Sequence, residues 1–144
     1  MTAPEPRILL VANRTCPCPD VLDTVRGRAG GEGEIFIVAP ALNSRLRHWV
    51  SDVDDAVAGA RERLERSLAW LGEAGVHARG EVGDSDPLVA IEDALAGFAA
   101  TELVISTYPP GQSNWLERDL PRRALESSGL PVVHLVSRYG LVGG

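Results

Sequence analysis

Lysine is missing from this chain of 144 residues: all 14 basic residues are arginines. Without it, P-loop lysine chemistry, Schiff bases and lysine nucleophiles are excluded. Aromatics make up only 5% of the chain, so a core must be built from Leu, Val, Ile and Ala. Two cysteines, Cys16 and Cys18, are too few for a four-ligand zinc site. A bridge across one Pro-stiffened residue would be strained, so a tight loop with free thiols stands against a redox or metal role. Apolar runs of the roughly 18 residues that a membrane span needs are also lacking. The net charge of -6 leaves no cationic surface of the kind nucleic-acid binding rests on. The first residues, Met1-Thr2-Ala3-Pro4-Glu5-Pro6, lack the basic start and apolar stretch of a secretory signal. The expectation is a cytoplasmic protein that binds neither membranes nor nucleic acids.

What the chain does hold is an alternation of short apolar runs with amphipathic stretches. Arg7-Ile8-Leu9-Leu10-Val11-Ala12 has the continuous apolar character of a buried parallel strand, and residues 34–39 repeat it before Pro40. Residues 20–28 fit a helix, after which four glycines from Gly27 to Gly33 break the chain. Those glycines precede a strand instead of following one, the wrong context for a dinucleotide loop. The strongest helix begins at a cap on Ser51 or Asp52. Val53, Val57, Ala60, Leu64, Leu68 and Leu71 form its apolar stripe, with acids and arginines opposite. Residues 76–82 read as a strand with polar alternation, nearer a sheet edge.

Gly83-Asp84-Ser85-Asp86-Pro87 caps a third helix, with Pro87 in the first turn and Leu88, Ile91, Leu95 and Phe98 on its buried face. A strand at 102–106, a helix at 117–127 and a strand at 131–136 complete the series. Five strands alternating with four helices predict a single α/β domain: a parallel sheet with helices on both faces, a core over about residues 7–137 and a loose tail at 138–144.

In such a sheet a ligand sits outside the carboxyl ends of the strands, against a helix N-terminus. The stretch in that position is unusual. Ser106-Thr107-Tyr108-Pro109-Pro110-Gly111-Gln112-Ser113-Asn114-Trp115-Leu116 runs on to Asp119-Leu120-Pro121-Arg122-Arg123. This signature, with Gly83-Asp84 ahead of the third helix, Leu103-Val104-Ile105 and Pro131-Val132-Val133, resembles the universal stress protein family over roughly residues 7–136. It looks especially like a divergent bacterial branch with a degenerate ATP-binding loop. The resemblance implies a Rossmann-like sheet of order 3-2-1-4-5, a role in stress response and a homodimer formed through the fifth strand.

ATP-binding members of that family carry an Asp after the first strand. They also carry a Gly-x-x-Gly loop after the fourth, with a later Gly-Ser or Gly-Thr pair. Here the Asp position is Asn13, the first loop glycine is Thr107, Gly111 is the one loop glycine left, and the pair falls near Arg118-Asp119. Bulky side chains crowd the approach to the backbone amides, and Asp119 would repel a phosphate.

The implied ligand site takes Ala12, Asn13, Arg14 and Ala39 from the first two strand ends. From the fourth strand and its loop come Ser106, Thr107, Gly111, Ser113 and Asn114, then Arg118 and Asp119. Asn13 would meet a sugar or base, Gly111 and Ser113 would donate hydrogen bonds, and Arg118 would meet an anion. The expected protein is a non-catalytic sensor or regulator. It needs no cofactor, and its binding of ATP, AMP or another anionic small molecule is at best weak or altered; the alternative is an ATP- or AMP-binding stress protein despite the degenerate loop.

Other readings stay open. Arg118, Arg122 and Arg123 clamp an anion, or they form a solvated helix face with Glu117, Asp119 and Glu126 as partners. Pro109-Pro110, Trp115 and Arg122-Arg123 form instead a docking surface for a protein partner. Nucleotide hydrolysis would have to draw its base or Mg²⁺ ligand from Asp119 or Asp20. A triad of Ser106, His134 and Asp119 lacks the Gly-x-Ser-x-Gly elbow. His134 is either a satisfied core residue or faces a partner across the sheet edge. His48, with Arg45, Arg47 and Trp49, is a lid or a mobile loop.

Overall fold

The computed structural model describes residues 6–12, 19–30, 33–40, 51–84, 86–107 and 119–136. In chain order these form β1 (Arg7–Ala12), α1 (Pro19–Ala29), β2 (Glu34–Pro40), α2 (Ser51–Glu73) and β3 (Ala78–Gly83). There follow α3 (Pro87–Gly97), β4 (Glu102–Thr107), α4 (Leu120–Ser128) and β5 (Val132–Val136). The strands make one five-stranded sheet in the order β3-β2-β1-β4-β5, with every neighbouring pair parallel.

The strands expected from continuous apolar runs occupy the centre. Ile8, Leu9, Leu10 and Val11 of β1 are fully buried, as are Leu103, Val104 and Ile105 of β4. Alternate residues divide between two cores. On one face Ile8, Leu10, Ile35, Ile37, Ala39 and Val104 pack with Val25 of α1 and with Ala60, Leu64 and Leu71 of α2. On the other, Leu9, Val11, Val38, Leu103 and Ile105 pack with Ala90, Ile91 and Ala94 of α3 and with Leu120 and Ala124 of α4. Burial of this kind contributes on the order of 25 cal/mol per Å² of apolar surface. It explains why the two faces, and not local propensity, fix the register.

Several boundaries differ from the sequence reading, each for a local reason. Helix α2 has Ser51 and Asp52 as its first two residues. The β3 strand starts at Ala78 and not at residue 76, because Val76 is used to close α2. Its N–H donates to the Leu71 carbonyl (3.0 Å) while Gly75 N–H donates to Gly72 (3.0 Å). Gly75 supplies the left-handed φ of 78° that this paired closure requires. As expected, β3 is an edge strand.

Helix α3 begins as its sequence indicates: Asp86 Oδ1 accepts from Leu88 N–H at 2.9 Å, and Pro87 occupies the first turn. Its fully buried side is rotated toward smaller residues, Pro87, Ala90, Ile91 and Ala94, with Phe98 buried just beyond. Leu88 and Leu95 flank that side, partly buried. Helix α4 starts at Leu120, with Asp119 in the cap position, while residues 117 and 118 lie outside the described part. Among the described residues, no helix is long and apolar enough to cross a membrane.

Candidate functional site

The chain runs outward from β1 to β2 and β3, then returns across the sheet to β4 and β5. Helices α1 and α2 cover one face and α3 and α4 the other, as the two cores show. The crossings therefore diverge between β1 and β4, and the strand ends at that switch are where open sheets of this kind bind ligands. Ala12 and Ser106 are register partners at that position, one strand pair from Thr107 and Val136. Ser106 is completely buried. Ala39, also buried, pairs with Val82 one strand farther out. Ala12, Ser106 and Thr107 thus sit side by side at the switch, with Ala39 near the end of β2.

Asp119 stands at the start of α4, where its backbone carbonyl accepts from Arg123 N–H at 2.9 Å. Its carboxylate makes no capping bond to the helix. It faces Arg122 instead (3.3 Å), and Arg122 also reaches Glu126 (3.5 Å), all three side chains being mostly exposed. Arg122 is therefore held in i,i+3 and i,i+4 pairs along α4, the solvated-face arrangement. Asn13, Arg14, Gly111, Ser113, Asn114 and Arg118 lie outside the described residues, as do Cys16, Cys18, His48 and Trp115.

A residue that sequence reasoning assigned to the solvated side of α2 comes to this end of the sheet. Helix α2 connects the carboxyl end of β2 to the amino end of β3, and Arg63 stands at its middle. Arg63 is half-buried, and its Nη2 donates to the carbonyl of Pro40, the last residue of β2, at 3.5 Å. The amphipathic pattern gave no sign of this, since Arg63 sits among acids and arginines.

His134 lies mid-strand in β5, level with Ile105 of β4, and is exposed on the outer strand. Partial burial of its imidazole lowers its pKa from the ordinary 6.5. Among the described residues no three His, Cys, Asp or Glu side chains cluster in a way that would hold a metal ion. A shallow groove of about 450 Å³ lies at the opposite, amino end of the sheet, lined by Gly33, Glu34, Ile35, His77, Ala78 and Arg79. Its two basic side chains share that lining with the Glu34 carboxylate, which is itself 3.6 Å from Arg7.

With the sheet order and switch point established, the fold can be compared with solved structures. A universal stress protein family structure from Burkholderia pseudomallei aligns over 92% of this chain and 97% of its own, with a TM-score of 0.63 and 17% identity. A universal stress protein from Archaeoglobus fulgidus aligns over 90% and 92%, with a TM-score of 0.60 and 16% identity. A universal stress protein family protein from Arabidopsis thaliana, with AMP bound, aligns over 92% of each chain, with a TM-score of 0.59 and 12% identity. No family model matches the sequence. No curated protein matches it either. The chain has the universal stress protein fold, a Rossmann-like α/β fold with its sheet ordered 3-2-1-4-5.

Proposed function

We propose that this chain is a cytoplasmic ligand-sensing or regulatory protein of the universal stress protein type, without catalytic activity. Its ligand is an anionic small molecule of the AMP or ATP kind, bound in the crevice outside β1 and β4. The observation that carries this reading is the switch point itself, where Ala12 and Ser106 pair at the divergence of the two helix layers. The likeness to an AMP-bound structure of the same fold supports the ligand class. The loss of loop glycines argues for binding that is weak or altered relative to ATP-binding members, because side chains keep a phosphate from backbone amides.

The assembly in this reading is a homodimer through β5. That strand is bonded to β4 along one side and ends the sheet on the other. An outer strand offers unpaired backbone donors and acceptors that a second copy can satisfy.

The reading is tested by denaturing the purified protein and identifying released small molecules by mass spectrometry. AMP, ATP or another anionic metabolite in near-stoichiometric amount is the expected result. Protein that releases none, and that gives no calorimetric signal with AMP or ATP at millimolar concentration, contradicts it.

A further inference from the structure

Strand β3 ends the sheet on the side away from β5, and its free edge can be read residue by residue. Ile35 N–H donates to the His77 carbonyl at 3.3 Å, so His77 turns its backbone groups toward β2. Those groups alternate along a strand, and Arg79, Glu81 and Gly83 turn the same way. The N–H and C=O groups of Ala78, Gly80 and Val82 therefore face away from the sheet. Side chains alternate as well. Ala78 and Val82 pack against the core shared with α2, and Gly80 lies between them under Leu64. Arg79 and Glu81 stand on the other face, where both are exposed. The Arg79 guanidinium rests over the rings of Phe36 (5.7 Å) and Phe98 (5.8 Å). Among the described residues, neither Arg79 nor Glu81 is engaged in an ion pair.

Charged residues on an outer strand ordinarily keep another chain away. Their spacing here has the reverse effect on a copy of the same strand. A two-fold axis through Gly80 sets two β3 strands antiparallel, with Gly80 opposite Gly80 and Ala78 opposite Val82. These are the residues whose backbone groups face outward, so each can exchange both N–H···O bonds with the residue opposite. Arg79 of either copy then stands opposite Glu81 of the other. Opposed residues of this kind, without backbone bonds between them, have Cα atoms only about 4.5 Å apart. Opposite charges attract there and like charges repel. Moving the axis to Arg79 or to Glu81 would set that residue against itself. The register centred on Gly80 satisfies backbone and charge together. Because Leu64 stands over Gly80, the two α2 helices run antiparallel on either side of the axis. The exposed residues around Leu64, namely Arg61, Glu62, Glu65 and Arg66, carry both signs.

We propose that the β3 edge is a self-recognition surface whose partner is a second copy of this chain, joined in antiparallel register about Gly80 by reciprocal Arg79–Glu81 pairs. The surface is independent of any ligand and of pairing through β5, which lies at the far side of the sheet. Where β5 also pairs, the two interfaces together lengthen the assembly.

Two experiments on the full chain test this. Sedimentation velocity compares wild type with Arg79→Glu and with the exchanged pair Arg79→Glu/Glu81→Arg, after circular dichroism has established that each is folded. Arg79→Glu turns both attractions into repulsions and is expected to weaken self-association at least about tenfold. The exchanged pair restores the wild-type mass. For the second experiment, Arg79→Cys and Glu81→Cys are made separately in a Cys16→Ser/Cys18→Ser background and mixed under mild oxidation. The mixture is expected to give a covalent dimer on non-reducing electrophoresis, since the opposed positions lie within disulfide reach, and neither variant alone should. The proposal is overturned if Arg79→Glu keeps the wild-type mass, a result that leaves pairing through β5 standing. A mixture that cross-links no better than its components overturns it too. Wild type that sediments as a monomer even at millimolar concentration removes both interfaces.

Discussion

Arg28, in the last turn of α1, grips Glu102, the first residue of β4, through two contacts: Nη2 to Oε2 at 2.5 Å and Nε to Oε1 at 3.2 Å. The residues are 74 apart in sequence, and the Glu102 side chain is only 14% exposed. The hydrogen bond to Glu102, with its charge, raises the pKa of Arg28 further above its ordinary value, although partial burial opposes this. The pair ties the α1 side of the molecule to the strand that leads into the crevice.

Arg28→Ala leaves a shielded carboxylate without its two-point partner, and is expected to destabilise the fold by about 1–2 kcal/mol, given the solvent exposure of the arginine. Urea unfolding of Arg28→Ala, Glu102→Ala and the double variant measures the coupling. Additive losses would show that the two side chains act independently.

Gly80, in the middle of β3, has no room for a side chain. A β-carbon there would stand 2.3 Å from the Ile37 carbonyl oxygen and 2.6 Å from Leu64 Cδ1 of α2. Gly80→Ala must push α2 away from the sheet or distort the β2–β3 pairing. The expected loss is about 2–4 kcal/mol, read as a lower urea midpoint. An unchanged midpoint would mean that α2 does not pack this closely.

Asp86 holds the first turn of α3 by accepting from Leu88 N–H, and Asp84 Oδ1 accepts in turn from Asp86 N–H at 2.9 Å. Asp86→Ala is expected to cost about 1 kcal/mol. Asp86→Asn or Asp86→Ser should recover most of it, since each keeps a capping oxygen. Thermal unfolding of the three variants makes the comparison.

His134 makes stability depend on pH in a defined direction. Its folded pKa lies below the ordinary 6.5, so the native state favours the neutral ring. Its contribution is complete above pH 6.5, the ordinary value of the unfolded chain, and is lost as pH falls from there through the lower folded pKa. His134→Gln should flatten the stability profile in that window and leave it unchanged above. A variant that follows the wild-type slope below pH 6.5 would contradict this.

The sequence disclosed those parts of the fold that depend on neighbouring residues. Leu9-Leu10-Val11 and Leu103-Val104-Ile105 read as central strands because both their faces are buried. The α2 stripe of Ala60, Leu64 and Leu71 is found in the core as its spacing required. Asp86-Pro87 declared the start of α3 through its own chemistry. Val76 was misassigned to β3 because nothing in its apolar character separates a strand residue from one that closes a helix. The places of Ala12, Ala39 and Ser106 at the ends of their strands were legible in the same way. The contact between Arg63 and Pro40 was not, because the two are 23 positions apart and only the folded chain brings them together. The same holds for Arg28 and Glu102, whose partnership has no local spacing to announce it.

The crevice is tested most directly by recording backbone amide NMR shifts as AMP is added to the isotope-labelled protein. Ligand at the switch point should move the signals of Ala12, Ser106 and Thr107, along with Ala39. Shifts confined to Gly33, Ile35, Ala78 and Arg79 would place AMP at the amino end of the sheet, and would contradict the account.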